Sequence, residues 1–173
     1  MTKNYRAELV GVFGDPVEGN PTGVLEEAGF AALGLNYRYL TMKVTPEDFD
    51  AAMKSLKALN MKGINLTMPH KITVLPYLDE ISQAARIIGA VNTIVIRNGK
   101  LIGDNTDGKG FVQALEREHT KPEGKSITIL GADDYSLLSL VLKCISKTKL
   151  RKKSASNPFL NSTPILCFSF FLL

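Results

Sequence analysis

Strand-like and helix-like segments alternate along the first 130 residues, and this alternation restricts the chain to a small set of architectures. AELVGVF at 7–13 and NYRYLTMKV at 36–44 have the apolar, aromatic and β-branched residues that are typical of strands. A helical segment from about Thr22 to Leu33 lies between them. Because helices that connect consecutive strands favour parallel pairing, the pattern predicts an α/β fold with a mostly parallel sheet flanked by helices.

A second helix and a third strand continue the alternation. Thr45 is placed to N-cap the helix. One face of this helix carries four apolar residues at helical spacing: Phe49, Met53, Leu56 and Leu59. Residues 62–67 then predict a strand, and residues 70–88 predict a largely helical segment with a break at Pro76.

A hairpin, a helix and one further strand complete the regular part of the sequence. Residues 91–103, VNTIVIRNGKLIG, predict two short strands around Asn98 and Gly99, a dipeptide that favours a type I′ turn. Residues 107–118 predict a helix, and residues 125–130 predict another strand. No internal repeat is visible.

Charge and cysteine usage favour a cytoplasmic protein without a nucleic-acid or membrane partner. The net charge is +4, but residues 143–173 hold six of the 21 basic residues and none of the 17 acidic ones, so the basic balance belongs to the tail. We interpret its basic run as a solvated segment. Cys144 and Cys167 form no metal or disulfide pattern. The final run, ILCFSFFLL, is too short to span a bilayer, and MTKNYRAELVG is not a signal peptide.

Three polar clusters occur where predicted strands end. They are NLTMPHK at 65–71, GAVNT at 89–93 and GDNTDGKG at 103–110. Ligands of open α/β sheets bind beyond the carboxyl ends of the strands. Amide, hydroxyl, ammonium and carboxylate groups in these clusters could together bind a polyhydroxylated ligand and move a proton.

Each polar residue also has a structural interpretation. Lys71 alone is typical of a solvated helix lysine, and Asp107 alone is a good N-cap for the helix that follows. Asn92 could satisfy backbone groups in a turn, Thr67 could be an ordinary strand threonine, and His70 is expected to be structural or superficial rather than catalytic.

The order and wording of the clusters carry more information than the single residues. The chain resembles the shikimate/quinate dehydrogenase family from about Glu8 to Leu130, through G-x-N-L-T-M-P-H-K at 63–71, G-A-V-N-T at 89–93 and G-x-N-T-D-G-x-G at 103–110. This resemblance implies an NADP-linked interconversion of 3-dehydroshikimate and shikimate in aromatic amino-acid biosynthesis, with a shikimate- or quinate-like acid as the small-molecule partner.

The resemblance also implies roles for individual residues. Lys71 and Asp107 match the pair that handles the proton at the reacting oxygen, with Lys71 as donor and acceptor. Thr67 and Asn92 match residues that hold the substrate hydroxyls, and Asn65 belongs to the same wall.

Two departures from the family pattern are visible. Asn20 and Thr22 stand where the family has a Ser-x-Ser pair that grips the substrate carboxylate, and Glu18 would repel a carboxylate if it pointed inward. After the 125–130 strand, Gly131 and Ala132 are all that remains of the family's glycine-rich cofactor loop. Asp133 and Asp134 follow, and two carboxylates would oppose a pyrophosphate.

We therefore predict three segments: a substrate-binding α/β domain over 1–104, the bridging helix and first strand of an incomplete Rossmann domain over 105–132, and an atypical, poorly ordered tail over 133–173. We expect a truncated or frame-altered product that does not turn over on its own. The alternatives are a non-catalytic module that binds shikimate or quinate, a quinate dehydrogenase relative, and a fragment that does not fold stably.

Overall fold

A computed structural model describes residues 5–119 in full, and the backbone of residues 127–130 and 150–153. Eight strands are present in these residues: β1 Glu8–Gly14, β2 Tyr37–Lys43, β3 Gly63–Leu66, β4 Glu80–Ile81, β5 Thr93–Arg97, β6 Lys100–Asp104, β7 Ile127–Leu130 and β8 Leu150–Lys153. The helices are α1 Thr22–Ala32, α2 Phe49–Ala58, α3 His70–Thr73, α4 Gln83–Ile88 and α5 Asp107–Arg117, with a 3₁₀ turn over Leu75–Tyr77.

The first six strands form one mixed, mostly parallel sheet in the order β2-β1-β3-β5-β6-β4. Strand β1 pairs parallel with β2 along its whole length and with β3 at Val12 and Phe13. The connections through α1 and α2 have the length and helical character that parallel neighbours require. The predicted fold class is confirmed.

The β5–β6 hairpin introduces the antiparallel part of the sheet. Asn98 and Gly99 form its turn with φ values of 52° and 75°, as a type I′ turn requires. A two-residue turn reverses the chain, so β5 and β6 pair antiparallel, and β5 also pairs antiparallel with β3. Strand β4 closes the far edge by pairing parallel with β6.

Apolar side chains cover both faces of the sheet. On one face, α2 buries Phe49, Met53 and Leu56 against a core that includes Phe13 and Ile64. Burial of each such side chain contributes about 1.5–3 kcal/mol. On the other face, a smaller core forms around α1, and its members are Val10, Val12, Val17, Phe30 and Tyr39.

Three local predictions were wrong. Helix α2 begins at Phe49 with Asp48 at the N-cap position, so Thr45 does not cap it; the Thr45 hydroxyl instead contacts the Asp48 carboxylate at 3.3 Å. Leu59 lies just beyond the end of α2 and is 53% exposed, so it does not extend the buried face of that helix. Residues 80–81, predicted as helical, form β4.

Strand β7 coincides with the last predicted strand, and β8 was not predicted. The two pair parallel in a separate sheet, from Ile127 opposite Leu150 to Leu130 opposite Lys153. The sequence had suggested a solvated basic run over Lys149 to Lys153, because a short run of like charges is ordinarily solvated. No helix among the described residues has the length and apolar character needed to cross a membrane.

Candidate active site

The predicted polar clusters meet at one edge of the six-stranded sheet because of the hairpin topology. Strand β3 ends there at Leu66, next to the end of β1. Antiparallel pairing brings the start of β5 to the same edge, with Thr93 opposite Asn65, and the end of β6 follows, with Asp104 opposite Thr93. Residues far apart in sequence therefore become neighbours.

Lys71 and Asp107 form a buried ion pair at this edge. The Lys71 Nζ lies 3.0 Å from Asp107 Oδ2, and the two side chains are 5% and 4% exposed. Lys71 is held on α3, and its carbonyl accepts a hydrogen bond from the Val91 amide at 2.8 Å. Asp107 is the first residue of α5, where the helix dipole favours a negative charge. The solvated interpretation of Lys71 is wrong, and Thr106 rather than Asp107 occupies the N-cap position.

Asn92 fixes the orientation of the Asp107 carboxylate. Its amide nitrogen donates to Asp107 Oδ1 at 2.8 Å, while Lys71 binds the other carboxylate oxygen. Its amide oxygen accepts from the backbone N–H of Thr106 at 3.0 Å, so the backbone-satisfying role considered for Asn92 is also present. Asn92 is fully buried, and the contacts leave its amide little freedom to rotate.

Asn105, two residues before Asp107, holds the backbone on which Asp107 lies. It was not singled out from the sequence. Its amide nitrogen donates to the Ala90 carbonyl at 3.1 Å, and its oxygen accepts from the Asp107 N–H at 3.2 Å. Asn105 is fully buried. A polar residue enclosed within the motif GDNTDG was the available signal.

Asn65 and Thr67 lie at the end of β3 with different surroundings. Asn65 is 2% exposed and donates to Thr93 Oγ1 at 3.1 Å and to the Asn92 carbonyl at 3.4 Å. Thr67 is half-buried beside Gly14, where an added Cβ would lie 2.2 Å from the Thr67 methyl. A glycine at the end of β1 therefore allows the Thr67 side chain to approach.

Asn20 and Thr22 lie in the turn that starts α1. The Thr22 amide donates to Asn20 Oδ1 at 2.9 Å, so the Asn20 side chain organises this turn. Glu18 is exposed, and its carboxylate accepts from the Val17 amide at 3.0 Å. Hydrogen bonds from the backbone of Glu18 and Val17 hold the pKa of the Glu18 carboxyl below its usual range. The carboxylate is thus engaged by its own loop.

Tyr39 connects these two regions and was not singled out from the sequence. Its hydroxyl donates to Asn65 Oδ1 at 2.8 Å, and its ring packs against the start of α1, where a Cβ at Gly23 would lie 3.3 Å from it. A tyrosine in an alternating strand is ordinarily a packing residue, so no sequence signal distinguished it.

His70 is structural, in agreement with the first of the two roles expected for it. The ring is 1% exposed and stacks on Phe49 with centroids 4.3 Å apart. Its Nε2 lies 2.7 Å from the Val44 carbonyl, which fixes Nε2 as the protonated nitrogen since a carbonyl can only accept.

Two of the predicted site residues, Gly131 and Ala132, lie outside the described residues. Within residues 5–119, no group of three or more His, Cys, Asp and Glu side chains is arranged to hold a metal ion. A cavity of about 420 Å³ lies away from the ion pair, along β4, and contains none of the predicted site residues.

Known proteins resemble this chain over the same region. The family model of the shikimate dehydrogenase substrate binding domain matches residues 12–94. A curated shikimate dehydrogenase (NADP(+)) from Desulforamulus reducens is 49% identical over 130 residues, which are 75% of this chain and 45% of that protein. The chain thus spans about half the length of the curated relatives it matches.

Two solved structures show the same fold. One is shikimate 5-dehydrogenase from Thermus thermophilus in complex with NADP(H) and shikimate, with 29% identity and a TM-score of 0.76 over 84% of this chain and 55% of that one. The other is 5-ketofructose reductase from Gluconobacter sp. strain CHM43, with 35% identity and a TM-score of 0.73 over 87% and 64%. Together with the match at 12–94, these likenesses show that the chain belongs to the shikimate dehydrogenase family through its N-terminal substrate-binding domain.

Proposed function

We propose that this chain binds a shikimate-like substrate next to Lys71 and Asp107, as part of an NADP-linked interconversion of 3-dehydroshikimate and shikimate. The observation that carries the proposal is the buried ion pair, with Nζ and Oδ2 3.0 Å apart and Asn92 on the second carboxylate oxygen. Burying two charges costs free energy that a pair of apolar residues would not, so the arrangement favours a chemical role. The name of the relative from Desulforamulus supports the reaction.

The chain's own residues would manage the proton at the reacting oxygen. Lys71 would donate a proton when the carbonyl is reduced and accept it when the hydroxyl is oxidised. Asp107 would hold the ammonium in place, and Asn92 would keep the carboxylate from rotating. The nicotinamide cofactor would supply or accept the hydride.

The substrate would be held by uncharged polar groups. Asn65, Thr67 and Asn92 lie at the sheet edge near the ion pair, and we assign the ring hydroxyls to them. Both amide hydrogens of Asn92 already donate, to Asp107 Oδ1 and Thr106 Oγ1, so a ring hydroxyl would replace one of these contacts. Asn20 can donate from its amide nitrogen toward a carboxylate, because its oxygen is occupied by the Thr22 amide. The Glu18 carboxylate is exposed and accepts from the Val17 amide of its own loop, which is compatible with an acid as substrate. We infer shikimate rather than quinate from the name of the curated relative, and we propose a cytoplasmic setting.

A second candidate is binding without turnover. Asp133 and Asp134 follow Gly131 in the predicted cofactor loop, where two carboxylates would repel a pyrophosphate. The loop lies outside the described residues, so support for NADP comes from the relative's name and from the NADP(H) complex of the Thermus protein.

Calorimetric titration of the 173-residue chain with shikimate, quinate and NADPH, each alone, tests both candidates. We expect shikimate to bind more tightly than quinate. NADPH binding would favour the dehydrogenase, and its absence alongside shikimate binding would favour the non-catalytic module. If no acid binds, the proposed function is wrong.

Substitution of Lys71 tests the site itself. We expect Lys71→Met to weaken shikimate binding at least about tenfold, because the ammonium that faces the reacting oxygen is lost. Lys54→Met is the matched control, since Lys54 is an exposed lysine on α2. Equal shikimate affinity in the two variants would remove Lys71 from the site.

A further inference from the structure

Tyr39 lies between Asn65 and the start of α1, and both regions carry proposed substrate-binding residues. Its ring is buried on β2 at 8% exposure, and its hydroxyl donates to Asn65 Oδ1 at 2.8 Å. The start of α1 packs against the same ring, because a Cβ at Gly23 would lie 3.3 Å from it.

The surroundings of Asn65 determine which way its amide points. One end of the amide faces the Asn92 carbonyl at 3.4 Å, and a carbonyl can only accept. That end is therefore the amide nitrogen, which also donates to Thr93 Oγ1 at 3.1 Å. The oxygen faces Tyr39, whose hydroxyl must be the donor.

This assignment limits what Asn65 can offer to a ligand. Both amide hydrogens are engaged by Asn92 and Thr93. The oxygen has two lone pairs, and Tyr39 uses one of them. Asn65 therefore has one acceptor lone pair left and no hydrogen left to donate.

We propose that Tyr39 is a positioning residue. Its hydroxyl holds Asn65 as a hydrogen-bond acceptor for a hydroxyl of the ligand, and its ring packs against the start of α1. The role in ligand binding rests on the proposed function; the orientation of Asn65 does not. Without the Tyr39 hydroxyl, the amide loses a neutral hydrogen bond and the one restraint that acts on its oxygen, while the contacts of its nitrogen with Asn92 and Thr93 remain.

Two variants test the inference on the 173-residue chain. Tyr39→Phe removes the hydroxyl and keeps the buried ring. Tyr37→Phe makes the same change two residues away on the same strand, where the ring contacts Phe30 with centroids 5.3 Å apart. In ¹⁵N-labelled protein without ligand, we expect the side-chain amide signals of Asn65 to shift in Tyr39→Phe and to stay in place in Tyr37→Phe.

Shikimate titration supplies the second readout. We expect Tyr39→Phe to weaken binding about three- to tenfold, as loss of one neutral hydrogen bond predicts, and Tyr37→Phe to bind as the parent chain does. Unchanged Asn65 amide signals in Tyr39→Phe would overturn the inference, as would unchanged shikimate affinity. If the parent chain does not bind shikimate, the proposed function fails while the amide signals still decide whether Tyr39 orients Asn65.

Discussion

At the scale of single residues, the site is a chain of buried polar contacts rather than a set of separate groups. Lys71 contacts Asp107, Asp107 contacts Asn92, and the Asn92 carbonyl contacts Asn65. Tyr39 extends the series across β1 to strand β2. Such networks are favourable only when their members are satisfied, since an unpaired buried polar group costs about 1–3 kcal/mol. Each residue is thereby held in one orientation.

Tyr39 gives this network a measurable pH dependence. Burial, and then the nearby Glu26 carboxylate, raise the pKa of the Tyr39 hydroxyl above its usual value. Below pH ~10 the tyrosine is protonated in both the folded and unfolded chain, so it contributes no pH dependence. Above pH ~10 the unfolded chain loses the proton and the folded chain keeps it, so the free energy of unfolding must fall.

We expect the free energy of unfolding of the parent chain to decrease more steeply than that of Tyr39→Phe above pH ~10, by up to about 1.4 kcal/mol per pH unit. Urea unfolding of both proteins at intervals from about pH 7 to about pH 11 measures the difference. The values well below the tyrosine's usual pKa are the internal control, where the difference should be constant. A difference that remains constant across the whole range would contradict the buried, hydrogen-bonded state of Tyr39.

At the scale of secondary-structure elements, the close pairing of β1 with β2 depends on a missing side chain. A Cβ at Gly11 would lie 2.2 Å from the carbonyl oxygen of Leu40, its partner in the register. This contact involves backbone, so it cannot be relieved by a rotamer change. Gly29 on α1 has no atom within 4 Å of an added Cβ and is a matched control in the same part of the fold.

We expect Gly11→Ala to lower the free energy of unfolding by about 3 kcal/mol, since β1 and β2 must separate locally. Gly29→Ala should raise it by about 0.5–1 kcal/mol, because alanine reduces the entropy lost by a helical residue. Urea denaturation of the two variants gives both values. Equal stability of Gly11→Ala and the parent chain would show that β1 and β2 are paired less closely.

Most elements were predictable because their signals are local. The type I′ turn at Asn98 and Gly99 follows from two adjacent residues, and the buried side of α2 follows from helical spacing. The start of α2 was misplaced because Thr45 has a capping residue's chemistry but contacts the Asp48 side chain instead of a backbone N–H. Strand β4 is only two residues long and depends on its pairing with β6. No local sequence pattern predicts that pairing.

The site was predictable in composition but not in geometry. The resemblance to the family implied that Lys71, Asp107 and Asn92 belong to one site, and the structure brings these three together. Tyr39 and Asn105 were missed because their contributions depend on partners 26 and 15 residues away in sequence. Long-range contacts of this kind follow from the sheet order β2-β1-β3-β5-β6, which no local pattern specifies.

At the scale of the whole molecule, the sheet and the described site end well before the C-terminus. All six strands of the larger sheet lie between Glu8 and Asp104, and α5, which carries Asp107, ends at Arg117. The two hydrophobic cores that support the sheet likewise draw their members from residues 9–101. The predicted boundary at 104/105 would separate Asp107 from Lys71, whereas an end after α5 keeps the ion pair intact.

We therefore expect a chain that ends at residue 119 to fold cooperatively and to bind shikimate as the 173-residue chain does, within about twofold. It would keep both of the hydrophobic cores described above and the hydrogen bonds around Asn92. Thermal unfolding followed by circular dichroism, together with shikimate titration, measures both properties.

A chain that ends at residue 104 is the control. Without Asp107, it would leave the buried Lys71 ammonium without its carboxylate, and we expect it to be less stable by about 3–5 kcal/mol. Cooperative unfolding of the chain ending at 119 without shikimate binding would place part of the binding site beyond α5.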